Sequence, residues 1–268
     1  MPFRGIVGCS MADKSGGSIA KIEFHAPYHP NVKLRIFDKY FSIDGACSSR
    51  FDKYIHWLTH FHFDHIRSSV AGGADFLLKQ NEKIIIFAPE DRTPVDNDLS
   101  VFEIHKSLYR YHSKGKRVLI PVNEGEKIYI NNTTIEAVRL KHSIPNNAIF
   151  IKNELADFTV LVTGDWLGSD EDNREAILSR EPNVLVSECR YFKDENYALT
   201  CERMHTHVND LIALSEMLPD TIIIPYHISR TFSNLEYIKK IFDAQNFVFG
   251  RKILFYEDIN SYEVTEGY

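Results

Sequence analysis

The chain has 268 residues, of which 44% are hydrophobic and 25% charged, enough to bury a core in one large domain or two small ones and to exclude a disordered protein. Its formal net charge of -6 argues against a protein that coats nucleic acid, although a local basic patch escapes such a sum. Cys9, Cys47, Cys189 and Cys201 lie far apart with no CxxC pair, which excludes a disulfide framework or zinc ribbon and leaves free thiols in a reducing compartment as the expectation.

In chain order, the opening Met-Pro-Phe-Arg-Gly has no basic stretch leading into an apolar segment, and no run of about 18 apolar residues follows anywhere. A soluble, cytoplasmic protein with no membrane span is expected. Short β-rich runs then fill the first half: Ser18 to Phe24, Lys33 to Phe37, Tyr54 to Leu58, Lys83 to Phe87, Lys127 to Ile130 and Thr134 to Arg139. Asn131-Asn132 joins the last two as a hairpin turn, because Asn tolerates positive φ at low cost. A second set comprises Ala148 to Lys152, Thr159 to Thr163, Val184 to Ser187 and Thr221 to Pro225. Residues 170 to 180 and 208 to 218 have helical spacing, with Asn209 as the expected cap of the second. There is no internal repeat and no Pro-, Gly- or Ser-rich linker. A single domain over 1–268, with two sheets between outer helices, is therefore expected.

The segment Glu90 to Arg117 breaks the pattern. Its "FEIHKSLYRYHSKGKR" interleaves basic and aromatic residues. One reading turns Phe102, Leu108 and Tyr109 into the core and solvates the lysines; the other makes 90–117 a lid that offers charge and stacking faces, His112 among them, to an anionic substrate.

The densest polar cluster is "WLTHFHFDH", Trp57 to His65, directly after an apolar run. On an extended strand end residues two apart share a face, so His60 and His62 converge on one point, while Asp64 and His65 reach a second point close by. Four such groups buried without partners would each cost on the order of 1 kcal/mol or more, and metal ions remove that cost. Three further polar residues end strongly apolar runs: His142 after "TIEAVRL", Asp165 after "TVLVTG" and His227 after "TIIIPY". His25, His29, His56, His105 and His112 lie outside this pattern and read as surface or core residues, with a place in the lid as the alternative for His112.

In that order along the chain, "THFHFDH", His142, "TGD" and "YHIS" resemble the metallo-β-lactamase superfamily, over nearly the whole sequence. The resemblance implies an α/β fold, an αββα sandwich of two mixed sheets between outer helices with metals at one edge. It also implies that His60, His62 and His142 hold one metal, that Asp64, His65 and His227 hold the other, and that Asp165 bridges them. "LVSECRYF", "MHTHVNDLIAL" and "IIIPYHISRTF" are similar to the ribonuclease Z branch and to small cyclic phosphodiesterases of the same superfamily. Matched without gaps, Glu188 takes the place of that branch's box glutamate and His205 that of the histidine it orients, with His207 as a competitor whose alternative is a surface position at a helix start. Two departures stand out. Arg230 sits one position earlier after Ser229 than the branch's phosphate-contacting arginine, and only 22 residues separate His142 from Asp165, too few for the arm that grips the tRNA elbow.

These likenesses imply a metal-dependent phosphodiesterase with two divalent ions, zinc foremost and manganese or iron also suited to such ligands. His205 would act as general acid and Asp64 and Asp165 as metal-holding carboxylates, with Ser229, Arg230 and His112 as substrate contacts. The expected substrate is a small cyclic nucleotide or other cyclic phosphodiester. The alternatives are a tRNA 3′-processing endonuclease acting on an RNA 3′ end without the arm, and a non-catalytic binding module on the same fold. A lactone- or ester-cleaving enzyme would leave the Glu188–His205 pair idle. Homodimerisation is expected by analogy with similar enzymes.

Overall fold

Two mixed sheets lie face to face in the computed structural model, which describes residues 17–24, 30–45, 54–66, 83–96, 99–229, 246–256 and 262–266. The first sheet is built from β1 (Ala20–Phe24), β2 (Val32–Ile36), β3 (Lys39–Ile43), β4 (Tyr54–Trp57), β5 (Ile84–Pro89), β8 (Arg117–Val122), β15 (Lys252–Phe255) and β16 (Tyr262–Glu266). Its spatial order is β16-β15-β1-β2-β3-β4-β5-β8, antiparallel as far as β3 and parallel from β3 to β8. A short hairpin of β6 (Pro94–Asp96) and β7 (Leu99–Ser100) and the helix α1 (Val101–His112) interrupt it.

The second sheet runs β14-β13-β12-β11-β10-β9, with β9 (Lys127–Ile130), β10 (Thr133–Leu140), β11 (Asn146–Asn153), β12 (Phe158–Val162), β13 (Val184–Glu188) and β14 (Ile222–Tyr226). Its first four strands form an antiparallel meander and the last three are parallel, connected through α2 (Glu171–Leu178), α3 (Tyr197–Glu202) and α4 (Val208–Met217).

Burial follows from these positions. β1 and β2 alternate buried and half-buried residues, as strands with one covered face do, whereas β12 and β13 are buried throughout because helices cover the outer face as well. Ile22, Leu34, Phe41 and Trp57 meet Ile135, Ile149, Val160, Val184 and Ile224 between the sheets. Trp166, Ile177, Leu211 and Leu214 seal the outside of the second sheet, and Phe102 and Tyr109 seal that of the first. The layer order is α-β-β-α, and each large apolar side chain so buried contributes about 1.5–3 kcal/mol.

Several expectations need correction. The run expected over Lys33 to Phe37 ends at Ile36, and Phe37 instead opens a tight turn at φ 49 into β3, a strand the sequence reading passed over. β8, β15 and β16 were passed over too. The Asn131-Asn132 turn is present, with Asn131 at φ 54. Within 90–117, Phe102 and Tyr109 are buried on one face of α1 while Leu108 is exposed, because residues seven apart share a helix face and Leu108 falls outside it. Asn209 does not cap α4: His207 does, its ring accepting from the Asn209 N–H while Asp210 accepts from the His207 N–H. Between His142 and Asp165 lie only β11 and β12. Cys189 and Cys201 are free thiols, and Cys9 and Cys47 lie outside the described residues. No helix among the described residues is long and apolar enough to cross a membrane.

Gly164, between β12 and Asp165, takes φ +66, and a Cβ there would lie 2.5 Å from Asn146 Oδ1 and 2.6 Å from Thr59 Cβ. The two sheets pinch together at this point. Gly164→Ala should therefore lower the stability by on the order of 2–5 kcal/mol, combining backbone strain with overpacking. Gly125, at φ +73 with nothing within 4 Å, should cost only about 1–2 kcal/mol when changed to Ala. Urea midpoints of the two variants at constant m-value give the comparison.

Candidate metal centre

The signature leaves the first sheet at the end of β4. Leu58 N–H still donates to Phe87 O, and the chain then makes one helical turn over 63–66, closed by His65 N–H and Ile66 N–H on His62 O. Phe61 is buried against α1 and stacks on His105 with ring centres 4.5 Å apart. His60 and His62, on either side of it, turn to the opposite side and meet His142, delivered by the end of β10.

The ring nitrogens converge. His60 Nε2 and His142 Nε2 each lie 3.2 Å from His62 Nδ1, and both face Asp165 Oδ2, at 3.8 and 3.9 Å. On the other side, His65 Nε2 and His227 Nε2 face Asp165 Oδ1 at 3.4 and 3.5 Å, and His227 Nε2 lies 3.4 Å from Asp64 Oδ2. Asp165 thus divides its two oxygens between two ligand groups, His60-His62-His142 and Asp64-His65-His227, each compact enough to hold one ion.

Hydrogen bonds behind the rings orient them. Asp44, fully buried at the end of β3, accepts from Thr59 N–H at 2.8 Å and from His65 Nδ1–H at 2.9 Å. The Thr59 hydroxyl donates to the same carboxylate at 2.8 Å and so has a lone pair left for His60 Nδ1–H at 3.0 Å. One carboxylate thereby places the free lone pairs of both His60 and His65 on Nε2, toward Asp165. His142 donates its Nδ1–H to Met204 O at 2.7 Å, with the same consequence. Partners of this kind set the tautomer and raise ligand basicity.

Asp165, Glu188 and His205 form a third group. Glu188 is fully buried; its Oε2 accepts from Trp166 N–H at 3.1 Å and its Oε1 accepts from His205 Nδ1–H at 2.5 Å. The loop carrying His205 is tied to its neighbours by Arg190 N–H on Thr206 O at 3.0 Å and by the Thr206 hydroxyl on Trp166 O at 2.8 Å.

The electrostatics are those of a cation site. Burial, together with the neighbouring imidazoles, holds His60 well below the ordinary histidine value and His62 down at about 4, so both favour the neutral, ligating form. Burial acts against the carboxylates too, but the surrounding histidines hold Asp64 and Asp165 below the usual carboxylate range. His65 goes the other way: burial lowers its pKa, and Asp165 and Asp44 overcome this and raise it. Most telling, His65 Nε2 and Asp165 Oδ1 are buried 3.4 Å apart, within reach of an ion pair, yet neither has a hydrogen bond of good geometry among the described residues. A divalent cation between them would satisfy both. Nitrogen and oxygen donors without thiolate suit zinc, manganese or iron.

The remaining expected residues are placed as follows. His207 is fully buried rather than at the surface, and both ring nitrogens are engaged by the backbone, Nδ1 accepting from Asn209 N–H and Nε2–H donating to Lys193 O; as a helix cap it has no proton to offer a substrate. His112 is an exposed last-turn residue of α1 with its ring edge-on to Tyr111. Ser229 follows the last ligand, and its N–H donates to Arg190 O at 3.1 Å. Arg230 lies outside the described residues. Asp44, Thr59 and Arg190 were not anticipated. Asp44 carried the same signal as His142, Asp165 and His227, a polar residue closing the apolar run "YFSI", but β3 had not been read as a strand.

Asp44→Asn removes the charge that orients His65 and Thr59 at nearly unchanged volume. The expected outcome is a 10- to 100-fold loss of metal affinity, measured by chelator competition, with the far-ultraviolet circular dichroism of the folded protein retained.

No protein-family model matches the sequence, and no curated protein matches it. Solved structures do. The metallo-β-lactamase fold protein YhfI from Bacillus subtilis aligns over 83% of this chain and 91% of its own, with TM-score 0.62 and 18% identity. Human tRNase Z, short form, aligns over 80% and 93% with TM-score 0.59 and 14% identity. Yeast PDE1 aligns over 89% and 99% with TM-score 0.62 and 12% identity. Identities this low speak for architecture alone, and on that the layers, strand orders and alignments agree: the chain has the metallo-β-lactamase fold.

Proposed function

We propose that this protein is a metal-dependent phosphodiesterase, with a small cyclic nucleotide or other cyclic phosphodiester as substrate. The observation that carries the reading is the pairing of a ligand set divided about Asp165 with a buried Glu188–His205 couple at its rim. Two divalent cations, zinc in the first instance, would be held by His60, His62 and His142, by Asp64, His65 and His227, and jointly by Asp165. Ions so placed supply a nucleophilic water at neutral pH and offset phosphate charge.

The chain's own residues do the rest. Glu188 holds the His205 ring through Nδ1 and favours its protonated form: burial acts against that charge, Glu188 and Asp165 act for it, and the His205 pKa stands above the ordinary value. The ring's Nε2–H is then available to a leaving alkoxide, a general-acid role worth on the order of 10²- to 10⁴-fold. His205 is partly exposed, at 12% of its side-chain surface, as a group that meets substrate must be. On this reading the 90–117 segment, which reaches the signature where His105 stacks on Phe61, bounds the pocket on that side.

Processing of tRNA 3′ ends is the second reading, favoured by the likeness to human tRNase Z, short form. Weighing against it are the net charge of -6 and the short β11–β12 connection in place of an arm. The two readings separate on salt: a tRNA substrate contacted at several phosphates loses affinity steeply as salt rises, a small cyclic diester does not.

A turnover screen over 2′,3′- and 3′,5′-cyclic nucleotides, bis-p-nitrophenyl phosphate and a 3′-extended tRNA tests the proposal. Turnover of a cyclic nucleotide with weak salt dependence is expected. Inactivity of a fully metallated preparation on every phosphodiester would refute the proposal and return the binding module. His205→Ala should lower kcat 10²- to 10⁴-fold on alkoxide-leaving substrates. The drop should be much smaller on bis-p-nitrophenyl phosphate, whose p-nitrophenolate leaves without a proton. Equal losses on both substrates would remove His205 from the acid role.

A further inference from the structure

Arg190 follows Glu188 by two positions, and its side chain carries no part in the site as so far described. Its backbone is fixed from both sides, N–H on Thr206 O at 3.0 Å and O accepting from Ser229 N–H at 3.1 Å, so the side chain starts from a rigid point between the His205 loop and the end of β14. From there it reaches the ligand set: Nη1 lies 2.9 Å from His227 Nε2. Its Nε is buried without a hydrogen-bond partner among the described residues. Burial acts against its charge, but Glu188, Asp165 and Asp64 surround the guanidinium and outweigh it, so its pKa stands above the ordinary value.

His227 Nε2 is also the atom that faces Asp64 Oδ2 and Asp165 Oδ1. One imidazole lone pair cannot serve a guanidinium N–H and a cation together. Once a cation takes the lone pair, Nη1–H is left without an acceptor at the rim of the centre, close to the unpartnered Nε–H. A planar fork of donors in that position matches the non-bridging oxygens of a phosphate. Of the three carboxylates near the guanidinium, Asp165 and Asp64 are those that a pair of divalent cations would offset, and Glu188 is already paired with His205, so the competition for the donors falls when they come free.

We infer that Arg190 is the residue that binds a non-bridging phosphate oxygen of the substrate and so selects an anionic diester over a neutral ester. The inference rests on the phosphodiesterase reading above and names its specificity-determining contact. The competing role is that Arg190 only screens the acidic cluster and so supports metal binding.

The test uses the full chain loaded with zinc. Inorganic phosphate and the uncharged chelator acetohydroxamic acid are titrated calorimetrically against wild type, Arg190→Gln and Arg190→Lys, with metal content measured by elemental analysis. The expected result is a 10- to 100-fold weaker phosphate affinity in Arg190→Gln, the loss of one or two charge-assisted hydrogen bonds. Zinc stoichiometry and acetohydroxamate affinity should stay unchanged, and Arg190→Lys should recover part of the loss through charge without the fork. Unchanged phosphate affinity in Arg190→Gln overturns the inference, as does a loss of zinc and of acetohydroxamate affinity in parallel, which is the screening role. The two proposals fail separately. Wild-type protein that binds phosphate through Arg190 yet turns over no phosphodiester sinks the enzyme and keeps the contact; an active enzyme whose phosphate affinity ignores Arg190→Gln does the reverse.

Discussion

A carboxylate with no solvent exposure and four polar atoms aimed at its side chain and carbonyl is the constraint on which this site depends. Asp44 takes Thr59 N–H, Thr59 Oγ1–H and His65 Nδ1–H on its side chain, and the Asn31 amide donates to its backbone oxygen. Because the Asp44 carboxylate can only accept, every neighbour of its side chain must donate to it. That single rule propagates through the Thr59 hydroxyl to His60, and it decides which nitrogen of two imidazoles remains open. Removing a partner from such a network exposes an unpaired buried charge, which is why networks of this kind are all-or-none in effect.

The fold brings that network to the right place. β3 and β4 are parallel neighbours, so Asp44 and Thr59 emerge at the same edge of the first sheet. β12 and β13 are parallel in the second, so Asp165 and Glu188 emerge together, and β14 adds His227 beside them. Open α/β sheets bind ligands beyond the carboxyl ends of their strands for this reason. The two edges are then stitched across the sandwich: Asn147 N–H donates to Thr59 O at 2.9 Å, and the Trp57 indole N–H donates to Asn147 O at 2.9 Å. Gly164 admits the close approach that these bonds require. Residues of both candidate groups are therefore held in place by bonds across the sandwich.

Much of this was legible in the residues, and what was not has identifiable causes. Spacing by two in His60 and His62, and polar residues closing the runs before His142, Asp165 and His227, pointed to one edge because strand ends are where a buried sheet can change to polar chemistry. Asp44 escaped for want of β3, and β3 escaped because Phe37 sits at φ 49, a conformation that propensity assigns to Gly or Asn and not to an aromatic. His207 was misplaced for a similar reason: histidine is a rare helix cap, and Asn209 nearby is a common one. Arg190 had no signal of its own, since an arginine after a buried strand is ordinary until the fold shows which histidine it reaches. Leu108 shows the limit of pattern reading on a 12-residue helix, where three apolar positions compete for a face that holds two.

The division of Asp165 between two ligand groups is the central claim, and metal counting on the purified protein tests it most directly. Elemental analysis after loading and exhaustive dialysis should find two divalent ions per chain in the wild type and none held tightly in Asp165→Ala, because both groups lose a shared ligand, while Asp64→Ala should retain one. A wild type that retains no stoichiometric metal, or an Asp165→Ala variant that retains both ions, would contradict the account.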